Sequence, residues 1–386
     1  MMLWLNEGLL LSCCSRLNVR FHHRCIFLSR TKRKSDNCIS KYFIIILLNY
    51  KFFIMSKLKF WIDNARTIAL PQSVLPALLA ISMGALHDGF SWWMSIVALF
   101  GVICAHLGMN LADDYFDYQI GSAEKRAALD GEGFRARMHK YPYLTSGQAT
   151  ITELRNAIIV FLAIAVVCGA VILYFRGWQI ALITAIAGIL GLSYSGGPLK
   201  LGYRGYGELV IGLMFGVLLM IGVQYAACGV FDLQIVVLSI AVALLVTNIV
   251  YTHSVLDIIA DEKADKMTFA RLLGTSKRKL AASALFALLP FVFVFVGVAT
   301  GLFHWAYLVI SLLLPMALFL WQSVRKFVYD EPEDMTLKFW MGPMGDWEAY
   351  KQHGLDWFLF RWLMARNLVT FFCLFILIVN IVLCFL

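Results

Sequence analysis

Long apolar runs separated by polar breaks fill the chain from residue 68 onward. Nine runs have the length of a membrane-crossing helix: 68–87, 92–112, 154–175, 178–194, 207–227, 233–254, 280–300, 304–324 and 367–386. A hydrocarbon core about 30 Å thick takes about 17–25 apolar residues per helix. The pattern therefore predicts an all-α, polytopic membrane bundle of about nine transmembrane helices. Breaks after odd-numbered runs are short, for example His87–Ser91 and Cys228–Asp232. Short connections imply antiparallel neighbours. Breaks after even-numbered runs are long, and long loops carry function.

Lys and Arg orient these spans. Counting from Met55, the segment before the first span and the loops after even-numbered spans hold 22 of them, and the loops after odd-numbered spans hold one, Arg176. Positive charge stays on the cytoplasmic side. The even loops are expected to be cytoplasmic, with the chain embedded in the cell (inner or plasma) membrane and its chemistry on the cytoplasmic face.

Composition agrees with this picture: 61% of residues are hydrophobic and 15% charged, against about 25% charged in soluble domains. The net charge of +9 is concentrated in residues 1–54, where nine Lys/Arg meet two acids, Glu7 and Asp36. Charge therefore gives no ground for a nucleic-acid partner. Residues 1–54 lack the order of a signal peptide, and Met55-Ser56-Lys57-Leu58-Lys59 reads as a protein start. The expected division is a non-native or disordered extension over 1–54 and a transmembrane domain over 55–386; a membrane-binding extension is the rival. Cysteines are scattered without metal or disulfide spacing. The segment 325–366 combines Asp330-Glu331-Pro332-Glu333-Asp334 with Trp340, Trp347, Trp357 and Trp362. Spaced aromatics near basic residues suit a cytoplasmic, interfacial insertion, with a substrate lid as the alternative.

Two acidic clusters interrupt the apolar pattern. The first is Asn110-Leu111-Ala112-Asp113-Asp114-Tyr115-Phe116-Asp117, at the end of the second span. The second, Asp257 to Asp265, follows the sixth. Asn110, Asp114 and Asp117 share one face of a helix, with Asp113 at its edge. Asp257, Asp261 and Asp265 are spaced four and four, which predicts a second stripe. Like charges at this spacing repel, so a cation is expected between them. Mg2+ prefers oxygen and usually binds through one or two carboxylates plus substrate phosphates. Two facing stripes suit a diphosphate held through Mg2+. Acids near a bilayer also mark ion and proton pathways, so a cation-coupled transporter stays open, as does a lipid-diphosphate hydrolase.

Basic residues follow in the loops. Gly196-Gly197-Pro198 breaks the chain after the fourth span, and Lys200 and Arg204 beyond it are candidate phosphate ligands or positive-inside anchors. Lys140 is a weaker phosphate candidate. His106 and His253 each lie one turn before a cluster, as a base, a polar wall or a structural histidine.

The pairing of Asp113-Asp114-Tyr115-Phe116-Asp117 with Asp257-x-x-x-Asp261 in this topology resembles the UbiA superfamily of intramembrane aromatic prenyltransferases. Within it, Leu111–Tyr118 with Gly121, Tyr194–Glu208 and Asp257–Gly274 with Lys266-x-Thr268 are most similar to the 1,4-dihydroxy-2-naphthoate polyprenyltransferase branch. Three positions depart from that pattern: Asp113 stands where Asn is usual, Leu256 where Arg is usual and Asp265 where Gly is usual. The resemblance implies Mg2+-dependent transfer of a polyprenyl group from a polyprenyl diphosphate, in contact with membrane lipid, to an aromatic acceptor. That acceptor is 1,4-dihydroxy-2-naphthoate in menaquinone biosynthesis, or a 4-hydroxybenzoate, haem or chlorophyll-type ring. It further implies that Asp114, Asp117, Asp257 and Asp261 hold the metal, with Asp113 and Asp265 auxiliary. Asn110, Tyr194, Lys200, Arg204, Lys266 and Lys140 would then contact the diphosphate.

Overall fold

A computed structural model describes residues 55–119 and 141–386. Residues 1–54, Gly121 and Lys140 lie outside the described residues. The chain divides into two compact units, 1–62 and 63–386. Of the first, residues 55–62 are described and are helical.

Among the described residues the second unit has nine long helices: α1 (Thr67–Gly84, opening with a tight 3-10 turn), α2 (Trp92–Gln119), α3 (Ile151–Arg176), α4 (Gln179–Ser195), α5 (Gly207–Cys228), α6 (Leu233–Leu256), α7 (Ser276–Ala299), α8 (Trp305–Val328, opening as 3-10) and α9 (Asp356–Leu383). Eight are long and apolar enough to cross a membrane; α4, at 17 residues, is the shorter ninth. This is the expected all-α, multi-pass architecture. Among the described residues the only β pairing is an isolated bridge between Arg204 and Met267.

Local signals set the helix ends. Thr150 and Glu153 form a capping box at the start of α3, and Asp232 caps α6 by accepting from the Ile235 amide at 2.7 Å. Gly229 closes α5 in the left-handed region, φ 77°, a conformation glycine adopts without penalty. The largest boundary difference is at α9, which begins at Asp356 rather than 367. Its first turns carry Asp356, Arg361 and Arg366, whose charge hid the helix from an apolar-run reading.

The bundle places α6 in its interior, against α5, α7 and α9, while α1 packs on α2, α5 and α9. By contrast, α3 keeps most of its apolar surface exposed, as expected of a lipid-facing helix. The α5–α6 contact is especially close. A Cβ on Gly212 would fall 2.0 Å from Thr247 Oγ1, and one on Gly216 would fall 2.4 Å from the Ala243 Cα. Glycine lets the two backbones meet. Beside this contact α5 relaxes into a π-helical stretch, Leu213–Leu218, a feature found often at functional sites.

At the ends of the helices away from the acidic clusters, Trp92, Trp93, Tyr174, Phe175, Trp178, Phe231 and Trp305 are exposed. A ring of such aromatics marks a membrane–water interface. Between α8 and α9, the aromatics of 325–366 are largely engaged in packing. Trp357 stacks on Phe327 (5.6 Å, 6°), Trp340 meets Phe319 edge-on, and Trp347 is buried against Phe360. Phe339 stands fully exposed. A buried ion pair, Arg361 Nη2 to Glu333 Oε2 at 2.5 Å, ties the segment to α9, and Ser323 Oγ donates to the same carboxylate.

Candidate active site

Because α2 stays helical through Gln119, the first cluster forms one continuous face. Asp114 and Asp117 are buried and Asp113 is partly buried. Each carboxylate meets named donors. Asp113 receives Ser195 Oγ on Oδ1 and Arg66 Nη1 on Oδ2, the latter at 2.9 Å. Asp114 receives Arg66 Nη2 on Oδ1 and Tyr143 Oη on Oδ2, the latter at 3.0 Å. Asp117 Oδ1 accepts from Tyr203 Oη at 2.5 Å, and its carbonyl accepts from Tyr141. Asn110 turns its amide to the Ala65 carbonyl at 2.9 Å, which fixes the residue before Arg66.

Burial pulls the Arg66 guanidinium down, but Asp114 and Asp113 outweigh that effect and hold its pKa above the ordinary arginine value. Burial, followed by the Asp114 charge, holds Tyr143 above the ordinary tyrosine value. Tyr143 therefore stays a neutral hydrogen-bond donor.

The second cluster departs from the expected single stripe. Helix α6 ends at Leu256, Asp257 has non-helical angles (φ −100°, ψ 14°), and a separate short helix runs Ile258–Lys263. Asp257 and Asp261 are buried. Asp265 lies beyond the short helix, exposed, with φ 53°. The helix ends before a third turn, so the four-residue spacing does not carry Asp265 onto the same face. His253 Nε2 lies 3.2 Å from Asp257 Oδ2 and sets its ring edge-on to Phe358. His106 Nδ1 lies 2.6 Å from Ser73 Oγ, and its ring packs on Phe215.

The loop after α4 joins the two clusters. Tyr203 bonds Asp117, and Lys266 Nζ stands 5.8 Å from the Tyr203 ring centroid. Gly205 N donates to the Met267 carbonyl at 2.8 Å. Buried Glu208 accepts from the Phe269 amide at 3.0 Å. Arg271 Nη1 donates to the Lys266 carbonyl at 2.7 Å, and the Lys266 amide donates to the Asp261 carbonyl at 2.8 Å. Lys266 is therefore held by its own backbone beside the Tyr203 ring. Lys200 and Arg204 are exposed, and Arg204 donates to the Pro198 carbonyl.

A cavity of about 120 Å³ opens beside the first cluster. Its lining mixes polar residues (Arg66, Asn110, Asp113, Tyr194 and Ser195) with apolar ones (Met109, Phe116, Ile211, Met214 and Phe215). Met214 and Phe215 come from the π-helical stretch of α5. Arg66, Tyr143, Ser195, Tyr203, Glu208 and Arg271 were not singled out from sequence. Tyr143 and Tyr203 sat in loops marked by their basic residues. Arg66 was read only as a positive-inside charge.

The donor set is oxygen-rich, as a hard cation requires. Asp113 and Asp114 already converge on one cation, the Arg66 guanidinium. Among the described residues, no three His, Cys, Asp or Glu side chains gather closely enough to hold a metal by themselves. A metal shared with a substrate phosphate fits two carboxylates at a time.

The UbiA prenyltransferase family matches residues 73–344, and the chain belongs to that family. It is thus a prenyltransferase, an enzyme embedded in a membrane by multiple helices. The chain is 27% identical over 228 residues to a 1,4-dihydroxy-2-naphthoate octaprenyltransferase of Mycobacterium tuberculosis, covering 59% of this chain and 74% of that one. It is 24% identical over 286 residues to a 2-carboxy-1,4-naphthoquinone phytyltransferase of Synechocystis, covering 72% and 86%. In fold it is similar to a UbiA homologue from Archaeoglobus fulgidus solved with GPP and Mg2+, with a TM-score of 0.53 at 14% identity, covering 82% and 99%.

Proposed function

We propose that this enzyme transfers a polyprenyl group from a polyprenyl diphosphate to 1,4-dihydroxy-2-naphthoate, with Mg2+, at the cytoplasmic face of the cell membrane. The observation that supports this reading is a cavity beside the first acidic motif, lined both by Arg66, Asn110 and Asp113 and by Met109, Phe116, Met214 and Phe215. A prenyl diphosphate needs both kinds of lining, polar groups for its charged head and apolar ones for its chain. The relatives named above support the acceptor: one carries an octaprenyl and the other a phytyl name, but both names contain a naphthalene ring system.

Asp113, Asp114, Asp117, Asp257 and Asp261 would hold the metal, and Asp265 would act from the rim. Bound there, Mg2+ supplies charge stabilisation to the departing diphosphate, an effect of several kcal/mol. The chain's own groups do the rest. Tyr203 reaches Asp117 of the first motif and Lys266 lies against the Tyr203 ring; from there both would meet the negative charge that grows as the allylic C–O bond breaks. Tyr194, Lys200, Arg204 and Lys140 would add donors around the diphosphate. Asn110 acts through Ala65, setting the turn that aims Arg66. The apolar residues exclude water, so the allylic cation meets the acceptor ring rather than hydroxide. The ring carbon bearing the carboxylate forms the new C–C bond, and the C–CO2 bond breaks to return the electron pair to the ring. The segment 325–366 would lie at the cytoplasmic interface, held by the Arg361–Glu333 pair.

The test is incubation of purified protein in detergent with a labelled polyprenyl diphosphate, Mg2+ and 1,4-dihydroxy-2-naphthoate, read by mass spectrometry. The expected product is a prenylated naphthoquinol with loss of CO2, abolished in Asp114→Ala and Asp261→Ala. Prenylation of 4-hydroxybenzoate instead would overturn the acceptor. Free prenyl alcohol without any ring product would overturn transfer.

A further inference from the structure

We propose that Arg66 is a resident counter-cation of the first acidic motif, which a divalent metal must displace and which then passes to the diphosphate. This rests on the reading of the site as a metal–diphosphate centre. It adds that metal and diphosphate bind as a coupled pair because one arginine changes partners.

The geometry points to an exchangeable contact. Arg66 forks onto two carboxylates at once, Nη1 to Asp113 and Nη2 to Asp114. The remaining oxygens of those two carboxylates are taken by Ser195 and Tyr143. All four oxygens therefore have donors. Ser195 and Tyr143 are neutral, whereas Arg66 brings a positive charge onto the same oxygens a cation would use. A divalent metal arriving alone must evict that charge. A metal arriving with a diphosphate brings anionic oxygens, and the arginine fork fits phosphate as well as carboxylate.

Arg66 is also built to move at its side chain and to stay put at its backbone. It lines the cavity and keeps 19% of its side chain exposed. Its backbone is left-handed, φ 59° and ψ 52°, directly before the tight turn that opens α1. A non-glycine residue held in that region indicates a position fixed by its surroundings. Here the fixing contact is Asn110 on the Ala65 carbonyl. The long side chain can exchange carboxylates for phosphate while its Cα stays in place.

The test is Mn2+ binding to the full-length protein in detergent, measured by electron paramagnetic resonance with and without a non-ionising prenyl thiolodiphosphate. In the unmodified protein the analogue is expected to tighten Mn2+ at least about tenfold, within the usual range of coupling between two ligands. In Arg66→Gln, Mn2+ alone should bind about tenfold tighter than in the unmodified protein, and the coupling should shrink below about threefold. Arg66→Lys, with a point charge in place of a fork, should fall between the two, and it keeps the test decisive if the glutamine variant does not fold. Unchanged or weaker binding of Mn2+ alone in both variants, with coupling intact, would make Arg66 a fixed strut and overturn the exchange. No Mn2+ binding by the unmodified protein even with the analogue would overturn the metal–diphosphate reading itself, and the exchange with it.

Discussion

Tyr203 donates its hydroxyl to Asp117 at 2.5 Å, across 86 residues of chain. The same ring carries Lys266 Nζ 5.8 Å from its centroid. One side chain thus ties the end of α2 to the loop that follows the second acidic cluster. Tyr203→Phe removes the hydroxyl and leaves the ring. A hydrogen bond to a charged group contributes about 1.5–3 kcal/mol, so kcat/KM for the prenyl diphosphate should fall about 10- to 100-fold, and the Mg2+ requirement should rise. Tyr203→Ala, which also removes the seat of Lys266, should fall further. Equal rates for the phenylalanine variant and the unmodified protein, across a Mg2+ titration, would show that this bond does not serve the reaction.

Lys266 and Lys200 separate in the same way. Lys266 is partly buried and its loop is pinned by Arg271 and by the Asp261 carbonyl. Lys200 is exposed in a left-handed turn, φ 42°. A fixed charge aimed at developing charge stabilises a transition state more than a mobile, hydrated one. Lys266→Gln should lower kcat/KM by more than about tenfold, whereas Lys200→Gln should stay within about threefold. The reverse order in steady-state assays would move the diphosphate toward the exposed loop.

The close meeting of α5 and α6 gives a stability prediction. Gly216→Ala places a Cβ 2.4 Å from Ala243 Cα, against backbone rather than a flexible side-chain end. Overpacking of a well-filled contact costs about 1–3 kcal/mol. The variant should unfold at lower temperature in detergent, and because Phe215 precedes it on the cavity wall, activity should fall with it. An unchanged unfolding temperature would mean that the two helices separate easily.

Arg361 and Glu333 are both buried and 2.5 Å apart. Removing one partner of a buried pair leaves an uncompensated charge and costs about 3–5 kcal/mol, while replacing both with apolar groups is often neutral. Arg361→Met alone should therefore destabilise strongly, and Arg361→Met with Glu333→Leu should recover most of the loss. A double-mutant cycle on unfolding temperature reads this directly. Additive effects would show that the pair does not fasten the segment between α8 and α9.

Much of this molecule was legible in its apolar pattern, because lipid forces helices and their lengths. Eight spans lie close to where the pattern put them, and α9 was cut short because Arg361 and Arg366 interrupt its first turns. The first acidic face was legible for the same reason: α2 does not end where its apolar run ends, so a spacing of three and four keeps its meaning. What a one-dimensional reading could not supply were contacts between distant segments. Arg66 looks like any basic residue before a first span until α1 and α2 pack together. Tyr203 and Glu208 acquire roles only because the loop after α4 folds onto residues 265–269.

The second cluster is where spacing and structure part, and it yields the sharpest contrast among the carboxylates. Asp261 is buried on the short helix Ile258–Lys263, whereas Asp265 is exposed two residues past that helix's end, with φ 53°. A left-handed aspartate is tolerated there because its short polar side chain suits that turn. Asp261 is enclosed by protein, where a cation acts on its carboxylate with little screening, whereas Asp265 stands at the solvent-facing rim, where charge is screened. Asp261→Asn should abolish Mg2+-dependent transfer at saturating prenyl diphosphate. Asp265→Asn should keep most of kcat and change the apparent Mg2+ constant by less than about threefold. Asp265→Gly, which also removes the side chain from a left-handed position, should leave the unfolding temperature the same or higher. If Asp265→Asn were as inactive as Asp261→Asn, both residues would belong to one metal centre, and the loop from Ala264 to Thr268 would have to close over the diphosphate to bring them together.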